Sequence, residues 1–372
     1  MALLSFAGCS SGDDAAAGGA PASGDAGGGD PGRNGAGRDG GENDDACAEA
    51  ALAPVAAVPK DAALVDLAVD ARGAWLLVRG GSERSLTIVR PSGESQVLEE
   101  GSVTAAALSA RSDGKVCAAW GVREPSAAVR YACGPAFARV DTGLTLEIDA
   151  DAPLALHDAP SQGGMLFMGK FASLDGVARA GSDFRDANVM ESSISYPGGV
   201  HALTGAQDGA PYCFVADQGR GPTPIVVKSW LRSGSANSWG AISLDGASAT
   251  ACAAAFSGAT LGVLATGGGK AKFATAVKQG DFAGKLAAED FDATGLQVAD
   301  LAADADEFAV VYGSSAGAFR ASRRASAKSW ETSALPIPAG AAVTATSIAK
   351  DSAGEHVAVQ AGGVTYYRRT CR

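Results

Sequence analysis

Few residues in this chain are of types that carry reactive chemistry. Its 372 residues include seven cysteines and three histidines, His157, His201 and His356. A zinc-type site needs Cys and His ligands at short spacing, but no C-x-x-C occurs and the histidines stand far apart. No metal site and no cofactor is expected. Each histidine falls near a first or second strand of a repeating unit, where it reads as a packed or solvated group. Nucleophilic hydrolysis needs an activated serine, yet there is no G-x-S-x-G elbow and no grouping of Ser, His and Asp. Glu94, Glu99, Glu100, Glu191, Glu289 and Glu307 read as solvated turn residues. No catalytic residue is assigned.

The elements that would position any site are strands. From residue 60 onward the chain alternates short apolar stretches with Gly, Asp, Ser and Pro, and no helical period is visible. Residues 65–101, VDLAVDARGAWLLVRGGSERSLTIVRPSGESQVLEEG, hold four strands separated by three turns. The first turn of this unit recurs at Gly73, Gly114, Gly164, Gly209, Gly258, Asp306 and Gly354, at spacings of 41, 50, 45, 49, 48 and 48. Four strands in 40 to 50 residues, repeated seven times, are the mark of a seven-bladed β-propeller, an all-β fold. Small first strands such as VTAAALSA (103–110), ATACAAAF (249–256) and VTATSIA (343–349) suit the crowded centre. A pair of β-sandwiches is the structural alternative. SANSW (235–239) and SAKSW (326–330) recur late in their units, so Trp239 and Trp330 read as packing residues between blades. The last unit lacks its fourth strand. ALAPVAAVPKD (51–61) has no blade of its own and is expected to close the ring beside VTYYRRT (364–370).

Six of the cysteines fit this frame. Cys117 and Cys133 lie symmetrically about Pro125 in the second and third strands of one unit, and opposed strand residues stand within disulfide reach. Cys47 and Cys371 flank the closing segments, which leaves Cys213 and Cys252 as a third pair. Three disulfides imply an oxidising compartment. Cys9 remains unpaired.

Residues 10–46 contain no Val, Ile, Leu, Met, Phe, Tyr or Trp, and carry eight acidic residues against Arg33 and Arg38. Such a stretch cannot bury a core and reads as a disordered linker. As a Gly-rich coil its root-mean-square span is about 30 to 36 Å. The net charge of -11 argues against a nucleic-acid partner and offers an anionic membrane no basic patch. After the first ten residues no apolar run reaches the length of a spanning helix.

Leu4, Ser5, Phe6, Ala7 and Gly8 precede Cys9, and Ser10 and Ser11 follow it. This arrangement resembles the lipobox of bacterial lipoproteins, in which a small residue precedes a cysteine that is acylated and becomes the new amino terminus. Phe6 stands where that family usually has Leu, and no basic residue precedes the apolar run. A start codon placed too far downstream accounts for the missing charge and for the shortness of the apolar run. The resemblance implies a signal and lipobox remnant at 1–9, ahead of the linker at 10–46 and the propeller at 47–372. It also implies a membrane partner through the N-terminal lipid, at the bacterial cell envelope, facing periplasm or exterior. A monomeric, non-catalytic binding or assembly scaffold for a protein or glycan ligand is the expected function. Sialidases are also propellers, with turns of the form S-x-D-x-G-x-T-W. SDGKVCAAW (112–120) and DARGAW (70–75) are the nearest stretches, without that spacing. A sialidase-like carbohydrate-active hydrolase is therefore the alternative.

Overall fold

A computed structural model describes residues 50–143 and 154–371 apart from short stretches within them; between 164 and 239 most strands are described by backbone alone. The chain divides into Met1–Asp45 and Ala46–Arg372. Only the second unit falls within the described residues, and every regular element there is a strand.

Those strands form seven antiparallel sheets, six of them built on four strands in chain order. The first blade shows the plan: Ala63–Asp70, Gly73–Arg79, Leu86–Val89 and Ser95–Glu99, each hydrogen-bonded to the next. The first strands of the other blades are Val103–Ala110, Leu154–Ala159, His201–Leu203, Ala251–Ser257, Leu296–Ala303 and Val343–Lys350. Each of these strands contacts the one before and the one after it, and the seventh contacts the first. The ring is closed. In the fifth blade two short strands, Phe282–Ala283 and Ala287–Asp290, both pair with the third strand.

The seventh blade takes its fourth strand from the other end of the chain. Ala50–Pro54 pairs antiparallel with Val364–Cys371, Ala53 opposite Tyr367 and Pro54 opposite Tyr366, and the Val55 amide donates to the Thr365 carbonyl. This is the closure expected from the short last unit. Residues 55–61 lead from it into the first blade rather than extending the strand.

Apolar surface is buried mainly between blades. Trp75, Leu77 and Ile88 of the first blade pack with Leu108, Ala118 and Trp120 of the second. Phe273 of the fifth joins Phe308 and Val310 of the sixth, and Val311 joins Val357 and Val359 of the seventh. Two sheets can approach this closely only where side chains are small. A Cβ at Gly313 would stand 2.4 Å from Val343 Cγ1 in the next blade, which requires the two sheets to shift. The first strands of the first, second, sixth and seventh blades each carry a register shift near their start, as at Leu64/Asp66 and Leu296/Val298. Such bulges bend a strand and re-aim its side chains.

Candidate functional site: the central channel

The first strands surround a cavity of about 740 Å³ on the propeller axis. Six of the seven contribute to its described lining, largely with Ala, Val, Leu and Thr. The ionisable side chains there are Asp66, His157, Asp300 and Lys350.

Asp66 and Asp300 occupy the same place in their strands, four residues before the turn aspartates Asp70 and Asp304. Asp66 accepts the Leu67 amide at 2.8 Å and, across the blade boundary, the Leu108 amide at 2.9 Å. Asp300 accepts the Leu301 amide at 2.8 Å and the Ile348 amide of the next blade at 2.9 Å. First strands are sheet edges, so their amides facing the axis have no ladder partner, and these carboxyls supply one. Ser347, the matching residue of the seventh blade, is buried with its hydroxyl 3.0 Å from Asp300 Oδ2 and 3.3 Å from Asp66 Oδ1. Burial, and next the charge of Asp300, push the Asp66 carboxyl up to about 7. Burial pushes Asp300 up as well. Burial also drives His157 down to about 4, so it is neutral at pH 7.

At one end of the channel the turns between first and second strands share another device. Asp70 accepts the Arg72 amide, Asp113 the Lys115 amide, Asp304 the amides of Asp306 and Glu307, and Asp351 those of Ala353 and Gly354. These Asx turns fix the hairpin, with Gly73 and Gly114 at positive φ beside them. Lys350 lies between Asp304 at 2.9 Å and Glu307 at 2.5 Å, and Arg320 holds Glu355 by two parallel bonds of 2.6 and 2.8 Å. The sixth and seventh blades are riveted by charge pairs of good geometry.

Cys117 and Cys133 face each other in the ladder and are disulfide-bonded. Cys252 and Cys371 each take part in a disulfide as well. Cys9 and Cys47 lie outside the described residues; Cys213 sits in the second strand of the fourth blade, its side chain not described. The histidines do not gather. His157 lines the channel and His201 belongs to a first strand, whereas His356 is fully buried within the seventh blade, 2.6 Å from the Tyr367 hydroxyl and 3.2 Å from Asp351. Trp330 stands edge-on to Phe273 and Phe291, with Arg323 over its ring, as a packing residue between blades. Trp239 lies on a strand described by backbone alone.

Glu99, Glu289 and Glu307 depart from the expectation of solvated turns, whereas Glu94 and Glu100 are exposed as expected and the Glu191 side chain lies outside the described residues. Glu99 takes the Trp120 indole N–H and an ion pair from Arg130, both of the second blade. Glu289 pairs with Arg323 and Glu307 with Lys350, each across a blade boundary, and Glu94 pairs with Arg90 within its blade. Asp66 and Asp300 were not singled out from sequence at all. The signal was nevertheless there: DLAVDA at 66–71 and DLAADA at 300–305 repeat both the channel aspartate and the turn aspartate four residues later.

No family model and no curated protein matches the chain. Among solved structures it is similar to the α-L-arabinofuranosidase Arb93A from Fusarium graminearum in complex with an iminosugar inhibitor, at TM-score 0.51 and 10% identity over 73% of this chain and 93% of that one. A mutant of the same enzyme gives TM-score 0.50 at 10% identity over the same shares. An α-L-arabinanase from Penicillium chrysogenum gives 0.49 at 7% identity, over 73% of this chain and 93% of that one. The fold is a seven-bladed β-propeller. At these identities the likeness extends to the fold alone.

Proposed function

We propose that the chain is an exported bacterial lipoprotein, anchored through acylated Cys9, whose propeller is a non-catalytic binding or assembly scaffold at the cell envelope. Two or three acyl chains on one cysteine anchor stably where a single one does not. The acidic stretch from residue 10 to 46 then tethers the propeller to the membrane. The observation that carries the scaffold reading is how the channel carboxyls are used. Both oxygens of Asp66 and both of Asp300 are committed to backbone amides of the ring, which suits a structural part better than an acid or base facing substrate. A sialidase-like centre would bring Arg, Tyr and Glu together at the axis, and the described channel lining contains none of the three. A funnel of about 740 Å³ walled by small apolar residues instead suits shape-based capture of a protein segment or glycan end.

Two measurements test this reading. Cys9→Ser in the full precursor is expected to move the protein from the membrane to the soluble fraction; unchanged fractionation removes the anchor. Incubation with aryl α-L-arabinofuranosides and aryl sialosides is expected to release no aryl alcohol above buffer. Release that disappears in Asp66→Asn would replace the scaffold with the hydrolase.

A further inference from the structure

The channel contains one arrangement that a binding role does not use. Asp300, Ser347 and Asp66 come from the sixth, seventh and first blades, so they span the blade that closes the ring. The Ser347 hydroxyl lies within hydrogen-bond distance of a carboxyl on each side. A hydroxyl carries one hydrogen and can donate to one of them only. With both carboxyls ionised, the second contact sets lone pair against lone pair in a buried place. With one proton present, one carboxyl donates to Ser347 Oγ, Oγ donates to the other, and every group is satisfied.

Other charges nearby are engaged elsewhere. On the three strands themselves, Asp70 is held by Trp75 and Arg90, and Lys350 by Asp304 and Glu307. On the strands packed against them, Arg79 donates to the Thr104 carbonyl, Glu355 pairs with Arg320, and His356 meets Asp351 and Tyr367. Glu307 is held by Lys350, Tyr312 stacks on Phe319, and Cys117 and Cys252 are in disulfides. Val103–Ala110 and Thr260–Gly267 carry no titratable side chain. Asp300 is the neighbouring charge that raises Asp66.

We propose that Asp300, Ser347 and Asp66 form a proton-dependent clasp across the closing blade, fastened when one carboxyl is protonated and strained when both are ionised. The upward displacement of both carboxyls agrees with it. An unfolded aspartate releases its proton near 3.8, whereas folded Asp66 holds it to about 7. The folded state therefore binds the extra proton, and the clasp's contribution is full below the lower value and lost as pH rises through the upper one. His157 and His356, both displaced downward by burial, work in the opposite direction over much of this range. The clasp is thus read as a difference between variants.

The test is thermal denaturation of the full chain from about pH 5 to pH 8.5, wild type against Asp66→Asn. The gap in Tm is expected to change by about 2 °C or more in favour of the variant as pH rises. Parallel curves would overturn the clasp. Difference infrared spectroscopy on the wild type alone gives a second readout if the variant does not fold. A protonated carboxyl C=O band is expected to vanish near neutral pH, and to titrate lower in Asp300→Asn; a wild type without that band would also overturn it. Added calcium that raises wild-type stability at high pH but not that of Asp66→Asn would put a cation in the proton's place, and the proposal would fall.

Discussion

At the residue scale, polar side chains within and between blades are held by partners that lie far away in sequence. In the first blade Arg90 stacks 3.8 Å over the Trp75 ring, bonds Asp70 and donates to the Arg72 carbonyl, and both Arg90 and Asp70 are almost fully buried. Burial works upward on Asp70, but the Trp75 and Arg72 hydrogen bonds and the Arg90 charge outweigh it and hold its carboxyl below the usual range. Breaking such a pair leaves a buried charge without its partner, so Arg90→Met is expected to cost about 3 to 5 kcal/mol in urea denaturation at pH 7. The pH dependence carries a sign. Asp70 stabilises above its unfolded value of 3.8 and loses that contribution as pH falls through its lower folded value. The wild type should therefore lose stability toward acid more steeply than Arg90→Met, and equal slopes would mean that the Arg90 charge does not set this titration. Little of this was legible in the chain. Glu99 finds Trp120 and Arg130 at separations of 21 and 31 residues, and no local pattern couples them.

At the scale of elements, the strands and their turns were legible because the pattern repeats. Alternating apolar residues set each strand's faces, and Asp or Gly at the first turn recurs at near-constant spacing, so each unit supports the reading of the next. The bulges at the start of the first strands were not visible, because a one-residue register shift depends on what the neighbouring blade presents. The same holds for Gly313. Within an apolar strand its reason is obscure, but in the fold Val343 occupies the space its Cβ would need. Gly313→Ala is expected to destabilise by about 1 to 3 kcal/mol, measured as a lower denaturation midpoint, through separation of the sixth and seventh blades. No change in midpoint would mean that this boundary is loosely packed. Closure by Ala50–Pro54 was foreseen from the missing strand. A chain beginning at residue 56 leaves Val364–Cys371 as an open edge. It should melt well below the full chain and associate through that edge in sedimentation; a monomer of unchanged Tm would show that the strap is dispensable.

At the scale of the whole molecule, the expected disulfides brace one blade and the ring. Cys117–Cys133 clips a hairpin, and Cys371 ends the strand that Ala50–Pro54 covers. Cys47 is the expected partner of Cys371, which would bond the strap covalently to the blade it completes, and Cys213 that of Cys252. Non-reducing peptide mapping should return those two pairs beside Cys117–Cys133 and leave Cys9 outside all three; any bridge that includes Cys9 would remove the distinction on which the anchor rests. Sequence made the overall architecture readable because the period survives divergence of individual strands. The channel was less readable, since its chemistry is assembled from one residue per blade. The most direct test of the account is mass spectrometry of the amino terminus of the protein isolated from membranes of its native cell or a bacterial host. The account predicts a terminal peptide that begins at Cys9 and carries acyl chains on its sulfur. A terminal peptide that retains Met1, or contains Cys9 unmodified, would contradict it.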